Sequence, residues 1–226
     1  GFKLEPELKS FYDQYLVFQN DELNVVKRTL IFPDEAIPEE IKLNRISIEL
    51  RSQNSDAAIL TFFRQAGENE DRHNTEGDFL LTQTEKDMLT DVCETFHAQH
   101  KKVIVVLNTG GVVETASWKD LPDAIVLAWQ PGQEGGNSVV DILKGAVDPS
   151  GKLPMTFPVD YFDVPSSKNF PYNYQGERFD PKVKNIGHTD YEEGIWVGYR
   201  YFNPENKPVS YPFGYGLSYT LPLIQL

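Results

Sequence analysis

Three short apolar runs constrain the fold of this chain more than any other feature. Residues 57–63, 103–107 and 124–129 consist almost entirely of apolar side chains and have the length of strands. Such a run is typical of a strand that is buried on both faces. Segments with helical spacing separate the runs. The order strand, loop, helix, strand predicts an α/β fold, with a mainly parallel sheet sandwiched between helices.

Local capping signals predict the helix between the first two strands. Thr82 followed by Glu85 matches a capping box, in which each side chain accepts a hydrogen bond from a backbone N–H at the helix start. An apolar stripe with helical spacing follows: Met88, Leu89, Val92, Cys93 and Phe96. This pattern predicts an amphipathic helix that begins at Thr82 and buries the stripe.

Other helices are predicted from helical spacing with Pro, Asn or Gly at the ends. They are residues 1–20, with Pro6 in the first turn; a helix within 39–53, with Ile46 and Leu50 on the buried face; a short piece at 114–117; and residues 138–144, capped by Asn137 and stopped by Gly145.

The character of the sequence changes after Pro149. A short extended run is predicted at 153–158. Residues 161–206 are rich in Tyr, Phe, Pro, Asn and Gly and show little periodicity, so we expect an aromatic-rich, irregular carboxyl-terminal extension that wraps over the α/β body. Within and after it, 195–202 and 211–219 are predicted as short strands or ordered coil. We expect one α/β domain over residues 1–220, with 221–226 as the start of a linker to a further domain.

Charge and composition exclude several classes of partner. The formal net charge is −13, which opposes binding to nucleic acid and to anionic membranes but not to a neutral ligand such as a sugar. The lone Cys93 and four scattered histidines show no metal-ligand spacing. Because the dinucleotide and Walker fingerprints are also absent, the sequence predicts neither a metal nor a cofactor.

An acidic loop follows the first apolar run and holds the main candidate chemistry. Its titratable residues are Glu68, Glu70, Asp71, Arg72, His73, Glu76 and Asp78. A carboxylic acid on such a loop acts as a general acid when its surroundings raise its pKa. A charge cluster is more often a solvated surface. The residues alone leave both interpretations open.

Two other segments carry weaker candidates. The turn at 108–111 could bring backbone amides close to a phosphate, although a tight turn between strand and helix is the simpler interpretation. Glu134 could be catalytic, but a carboxylate there is equally suited to the start of the next helix. Trp118, Trp129 and Trp196 are interpreted as buried packing residues, the more common use of such side chains.

The order of several longer motifs resembles one family. WQPGQEGGNSVVDILKGAVDPSGKLPMTFP (129–158), YEEGIWVGYRYF (191–202) and YPFGYGLSYT (211–220) are similar to the β-glucosidase-type enzymes of glycoside hydrolase family 3. KKVIVVLNTGGVVE (101–114) also matches, and RQAGENEDR (64–72) resembles the acidic loop S-G-E-G-x-D-R of that family. The resemblance covers nearly all of residues 57–220.

The resemblance implies a multidomain enzyme. Such enzymes carry an amino-terminal (β/α)₈-type barrel, this α/β sandwich, and often a fibronectin-III-like domain. The chain is therefore expected to be a fragment that lacks the first strand of the sandwich and stops where a further domain begins. The implied partners are a β-linked glucoside or oligosaccharide and the barrel domain of the same polypeptide.

The resemblance also implies which residues take part in catalysis. The family uses a retaining mechanism, with an aspartate nucleophile on the barrel and a glutamate acid/base on the acidic loop. That glutamate aligns with Glu68. Asp71 and Arg72 match the same motif, and we interpret them as shaping the loop. Asn69 stands where the family usually has glycine and Glu70 adds a neighbouring carboxylate, so Glu70 is the alternative acid/base.

Two functions from other classes remain as alternatives. The aromatic residues after Tyr161 would suit a non-catalytic carbohydrate-binding or interaction module. The strand and helix order also fits a flavodoxin-like nucleotide domain, which the missing phosphate fingerprint argues against.

Overall fold

The computed structural model of this chain describes residues 2–27, 40–64, 72–168 and 191–220. The helices are α1 (Pro6–Lys27), α2 (Arg45–Gln53), α3 (Gln83–His97), α4 (Gly135–Leu143) and α5 (Tyr199–Phe202). The strands are β1 (Ala57–Arg64), β2 (Lys102–Thr109), β3 (Ala124–Leu127), β4 (Phe157–Pro158) and β5 (Val209–Tyr211). The chain divides into two compact units: Gly1–Glu70, Leu81–Gly111 and Trp118–Val139 form the first, and Asp71–Leu80, Val112–Ser117 and Val140–Leu226 form the second.

A parallel sheet with the strand order β1-β2-β3 is the framework of the first unit. Ala57 pairs with Lys102, and Ile104 pairs with Ala124, so all three strands run in the same direction. Helix α3 packs on β1 and β2, and α2 packs on α3. The α/β class and the parallel sheet are therefore confirmed.

The prediction that residues 57–63 are buried on both faces is wrong. In β1 the exposed positions alternate with the covered ones, and Ile59 and Phe63 are 46% and 45% exposed. The opposite face carries Phe62 and Arg64, which are buried. Helix α3 packs against the face of β1 that carries Phe62 and Arg64, while the face that carries Ile59 and Phe63 is open among the described residues.

Strands β2 and β3 follow their predicted positions more closely. Val103, Val105, Val106 and Leu107 are buried in β2, as the apolar run predicts. Strand β3 is shorter than predicted and only half-buried. The extended conformation ends before Trp129, whose φ is +53°.

The predicted capping box and apolar stripe of α3 are confirmed. The Thr82 side chain accepts from the backbone N–H of Glu85, and the Glu85 side chain accepts from the backbone N–H of Thr82. The predicted stripe is buried throughout: Met88, Leu89, Val92, Cys93 and Phe96. Burial raises the pKa of the Cys93 thiol to about 11.

The buried face of α2 differs from the prediction. Ile46 and Leu50 are 70% and 58% exposed, and the helix instead buries Ile48 and Ser52. The Gln99 side-chain amide donates to the Ser52 hydroxyl, and the Lys101 ammonium donates to the Ser52 carbonyl oxygen at 2.5 Å. Because these hydrogen bonds come from residues about fifty positions away, the spacing of apolar residues could not predict that Ser52 is buried.

The other predicted helices differ mainly at their ends. Helix α1 starts at Pro6 but continues to Lys27, beyond the predicted end at residue 20. Helix α4 starts at Gly135, so Asn137 lies inside the helix rather than capping it. Gly145 follows with a φ of +71°, in agreement with its predicted role as a helix stop.

Two short segments have a different conformation from the one predicted. Residues 114–117 form no helix, because the Glu114 carboxylate accepts from the backbone N–H and hydroxyl of Ser117 at 2.6 and 2.7 Å and closes a turn. Residues 195–202, predicted as strand or coil, contain the short helix α5. The residues after β5 are turns and coil, as the second alternative for 211–219 predicts.

The second unit is held together by β4 and β5 and by contacts around them. The strands are antiparallel, with Phe157 opposite Tyr211. The hydroxyl groups of Thr115 and Ser210 form a buried hydrogen bond of 2.7 Å. Asp148 accepts hydrogen bonds from residues 218 to 220, and these contacts lower the pKa of its carboxyl.

Asp123 connects the start of β2 to the end of α3 in the first unit. Its carboxylate accepts from the Lys102 ammonium at 2.6 Å and from the backbone N–H of Val103 at 2.9 Å, and lies 2.9 Å from His97 Nε2. The Lys102 and Val103 hydrogen bonds hold the pKa of this carboxyl well below its usual range. The ionised form therefore stabilises the fold.

We expect Asp123→Asn to lower the free energy of unfolding by about 1 kcal/mol at pH 7. Because the pKa is depressed in the folded state, the contribution is complete above the pKa of an unfolded aspartate, about 3.9, and is lost as pH falls through the folded pKa. Urea unfolding at pH 7 and pH 3 measures both effects. The control Asp120→Asn changes an exposed neighbour, and an equal loss there would contradict the role of Asp123.

Candidate functional site

The acidic loop begins where β1 ends. Glu68, Glu70 and Asp71 lie outside the described residues, while Arg64 before them and Arg72 after them are described. The described part of the site therefore consists of these two arginines and the side chains that hold them. Arg64 belongs to the first unit and Arg72 to the second.

Arg64, the last residue of β1, is fixed by a buried ion pair. Its guanidinium donates to both oxygens of Glu85, at 2.8 and 2.6 Å, and to the Phe63 carbonyl oxygen at 2.7 Å. Arg64 and Glu85 are each 6% exposed. Because Glu85 also belongs to the capping box, one carboxylate joins the end of β1 to the start of α3. A bidentate pair of this kind defines the direction of both side chains.

Arg72 is held by Asp78 at the carboxyl end of the loop. Arg72 Nη1 donates to Asp78 Oδ1 at 2.5 Å, and the backbone N–H of His73 donates to Asp78 Oδ2 at the same distance. The His73 ring is more distant, with Nδ1 3.6 Å from Oδ2. Asp78 thus uses both oxygens to close the turn and has a structural role.

The backbone between Arg72 and Phe79 forms a compact turn. Thr75 and Phe79 both donate to the His73 carbonyl oxygen, at 2.8 and 3.2 Å. Gly77 donates to the Leu80 carbonyl oxygen at 2.9 Å and has a φ of +82°, a conformation that favours glycine. Phe79 anchors this turn, since it is only 3% exposed.

Tyr161, distant in sequence, bonds to the same end of the loop. Its phenol donates to the Arg72 carbonyl oxygen at 2.9 Å. Its ring meets Phe79 edge to face, with centroids 5.4 Å apart. Arg72 is therefore held through its main chain as well as its side chain.

The turn at 108–111 and Glu134, which were weaker candidates in the sequence, make contacts that fit a structural role. The Thr109 hydroxyl donates to the Gly111 carbonyl oxygen at 3.1 Å, as expected for a tight turn. Glu134 accepts from the Asn137 side chain at 2.7 Å at the start of α4. Trp118 is buried against Phe62, as predicted. Trp196 is 53% exposed, so the prediction of buried packing is wrong for this residue.

Sequence reasoning missed an open surface pocket in the second unit. Its volume is about 310 Å³, and its lining combines aromatic, acidic and basic side chains: Pro165, Glu192, Glu193, Trp196, Arg200, Tyr201, Pro204 and Glu205. The exposed Trp196 within the motif at 191–202 was the available signal, but its exposure could not be predicted from composition.

The described ranges contain neither a candidate metal site nor a candidate membrane span. No cluster of three or more His, Cys, Asp or Glu side chains there could hold a metal ion. No helix in that part of the chain combines the length and apolar character required to cross a bilayer.

Comparison with known proteins finds relatives over most of this chain. A family model described as the glycosyl hydrolase family 3 C-terminal domain matches residues 24–219. A β-glucosidase of Ruminococcus albus is 38% identical over 184 residues, which cover 80% of this chain and 18% of that protein. β-Glucosidase A of Butyrivibrio fibrisolvens is 35% identical, covering 96% of this chain and 27% of its own length.

A relative with another activity and a solved structure extend the comparison. An exo-α-(1→6)-L-arabinopyranosidase of Bifidobacterium longum is 43% identical over 122 residues, covering 54% of this chain and 14% of that protein. The structure of β-glucosidase 3B from Thermotoga neapolitana in complex with glucose matches with a TM-score of 0.79 and 42% identity, over 95% of this chain and 28% of that one. This chain thus spans between 14% and 28% of the length of these four proteins.

Proposed function

This chain belongs to glycoside hydrolase family 3 as a C-terminal domain, and from that premise we propose that it is part of a retaining, exo-acting β-glucosidase. It supplies the general acid/base, Glu68, while the aspartate nucleophile lies on a barrel domain of the same polypeptide. The observation that carries the proposal is the family match over residues 24–219, which includes the acidic loop. The substrate is a β-linked glucoside or oligosaccharide.

The proposed chemistry assigns two successive tasks to Glu68. The protonated carboxyl first gives its proton to the glycosidic oxygen while the nucleophile attacks the anomeric carbon. The carboxylate then takes a proton from the water that hydrolyses the glycosyl-enzyme. Retaining enzymes hold the two carboxyl groups roughly 5–5.5 Å apart, so the loop must be held at a defined position relative to the nucleophile.

The surroundings of the loop support this role. Arg64 and Arg72 are each four residues from Glu68, and each is held by a carboxylate, Glu85 or Asp78. Asp71 lies outside the described residues, and its part in shaping the loop remains a proposal, as does that of Arg72.

The choice of sugar is proposed to depend on residues outside this chain. The chain resembles both β-glucosidases and an L-arabinopyranosidase at 35% to 43% identity. A proton donor acts on the leaving-group oxygen, which these substrates share, and not on the ring substituents that distinguish them. Release of terminal β-D-glucosyl residues is the activity that we propose, since most of the relatives described above are β-glucosidases.

We expect the isolated 226-residue chain to show no turnover of an aryl β-glucoside, because half of the catalytic pair is elsewhere. The full-length enzyme in the same assay is the positive control, and its Glu68→Gln variant should lose most of its activity. Turnover by the isolated chain at a rate comparable with the full-length enzyme would contradict the division of the site between domains.

The open surface pocket in the second unit favours a second candidate function, that of a non-catalytic carbohydrate-binding module. Trp196 and Tyr201 offer aromatic surfaces, and Glu192, Arg200 and Glu205 offer hydrogen-bonding groups around about 310 Å³. Calorimetry of the isolated chain with glucose and cello-oligosaccharides distinguishes the two functions. Binding that Trp196→Ala abolishes, together with full activity of a Glu68→Gln enzyme, would favour the module.

Two finer features of the fold also remain proposals. The assignment of residues 1–220 to one α/β domain comes from the resemblance. The irregular, aromatic-rich extension over 161–206 includes residues 169–190, which lie outside the described ranges.

A further inference from the structure

We propose that the open surface pocket of the second unit binds a neutral oligosaccharide, with Trp196 as the stacking surface for one sugar ring and Phe213 as the stacking surface for another. The inference concerns binding alone and holds whichever residue is the acid/base. The lining residues named above all lie in the second unit. The volume of about 310 Å³ is at the lower end of the roughly 300–1,000 Å³ of small-molecule sites.

Trp196 offers an open aromatic face to this pocket. Its side chain is 53% exposed, and its backbone N–H donates to the Glu193 carbonyl oxygen at 3.0 Å, which fixes the main chain on which the indole is carried. Tyr201 is more enclosed, because Lys207 Nζ lies 4.7 Å from its ring centroid and the Phe202 ring meets it edge to face at 5.4 Å. Tyr201 therefore serves as a wall, and Trp196 is the ring on which the C–H face of a sugar can stack.

The charged groups of the pocket suit a neutral ligand that carries many hydroxyl groups. Glu192, Glu193 and Glu205 line the pocket and provide hydrogen-bond acceptors. Arg200 lines the same pocket and provides only donors. A sugar hydroxyl both donates and accepts, so it can bond to either kind of group. A cationic ligand would meet the guanidinium, and an anionic ligand would meet three carboxylates.

The aromatic surface continues from the pocket along α5. The Arg200 guanidinium lies over the Tyr199 ring, with Cζ 5.2 Å from the ring centroid. Tyr199 in turn packs on Phe213, with centroids 4.7 Å apart and ring planes inclined by 32°. Tyr199 and Phe213 are 37% and 48% exposed, so this row of side chains is open to solvent. This continuity is the reason for assigning an oligosaccharide rather than a single sugar.

The walls of the pocket are held in shape by contacts within the second unit. Phe202 is only 3% exposed and anchors α5. Its backbone N–H donates to the Gly198 carbonyl oxygen, and its carbonyl oxygen accepts from the backbone N–H of Lys207, both at 3.1 Å. These bonds close the turn that carries Pro204 and Glu205. A pocket that is already ordered loses less conformational entropy when a ligand binds.

Calorimetry of the 226-residue chain with cellotriose and with glucose tests the site. We expect Trp196→Ala to weaken cellotriose binding about tenfold, the weight of one aromatic contact. Cellotriose should bind more tightly than glucose, and Phe213→Ala should remove that difference. Phe162→Ala is the matched control, because Phe162 is a 65% exposed ring of the same unit outside the pocket lining, and it should leave binding unchanged.

A second variant keeps the test valid if Trp196→Ala fails to fold, as judged by its urea unfolding. Glu193→Gln retains the side-chain shape and should weaken cellotriose binding severalfold, because a charged acceptor makes the stronger hydrogen bond. The inference is overturned if cellotriose does not bind, if Trp196→Ala matches Phe162→Ala, if glucose binds as tightly as cellotriose, or if tetramethylammonium displaces the sugar. Glu68→Gln should leave binding unchanged, and a loss there would place the sugar on the acidic loop and overturn the inference without contradicting the proposed function.

Discussion

In the full-length enzyme, Glu68→Ala is expected to lower kcat/KM for alkyl β-glucosides by about 10²–10⁴-fold, the usual contribution of a general acid. An alkoxide is a poor leaving group and must be protonated as the glycosidic bond breaks. A dinitrophenolate leaves without help, so its glucoside should lose far less in the step that forms the glycosyl-enzyme. Steady-state kinetics with a series of leaving groups measures the difference.

The matched control for this prediction is Glu70→Ala, because Glu70 is the alternative acid/base. It removes the same group two residues away and should leave the dependence on the leaving group unchanged. The reverse outcome, with Glu70→Ala sensitive to the leaving group and Glu68→Ala not, would assign the proton transfer to Glu70. Equal losses on all substrates in the Glu68→Ala enzyme would indicate a structural role.

Glu85→Ala is expected to lower the free energy of unfolding of this chain by about 3–5 kcal/mol. The substitution leaves the buried guanidinium of Arg64 without its carboxylate and also removes the capping box of α3. Desolvation of the remaining charge is the larger part of this cost. Urea unfolding followed by far-UV circular dichroism measures it.

A double variant distinguishes the buried charge from simple loss of packing. Arg64→Met/Glu85→Met removes both charges while keeping apolar volume, and should recover most of the stability lost in Glu85→Ala. Asp87→Ala is the exposed control, since Asp87 pairs with Lys42 at the surface, and it should have only a small effect. A Glu85→Ala variant as stable as Asp87→Ala would contradict the account of the ion pair.

Local signals predicted helix α3, because capping and apolar spacing act within a few residues. Thr82 and Glu85 are three residues apart, and the stripe that follows lies on one helical face, so no distant contact was needed. The same is true of the stop at Gly145, whose positive φ is a local requirement. Strand β2 was predicted from its apolar run at 103–107, which matches its buried positions.

Features that depend on distant contacts were not predictable. The exposure of one face of β1 depends on which other elements pack against it, and this cannot be read from Ile59 and Phe63 themselves. In α2, Ile46 and Leu50 have the same spacing as Ile48 and Ser52. The choice between the two faces depends on hydrogen bonds from residues about fifty positions away.

The candidate site also combines features that local motifs predict with contacts that only the fold reveals. The motif match is the basis for proposing Glu68 and Arg72, but the ion pair between Arg72 and Asp78 has no regular spacing that would indicate it. The contact between Tyr161 and Arg72 joins residues 89 positions apart. Short motifs identify the groups that react, whereas the residues that hold those groups in place require the fold.

Rescue of the Glu68→Ala enzyme by azide shows whether Glu68 is the acid/base. Azide needs no general base, so it can replace water and attack the glycosyl-enzyme that accumulates from a dinitrophenyl glucoside. The second displacement restores the β configuration of the substrate. We therefore expect azide to accelerate turnover and to give β-glucosyl azide, identified by its anomeric NMR signal. Turnover that azide does not accelerate, or an α-configured azide, would contradict the assignment of Glu68 as the acid/base.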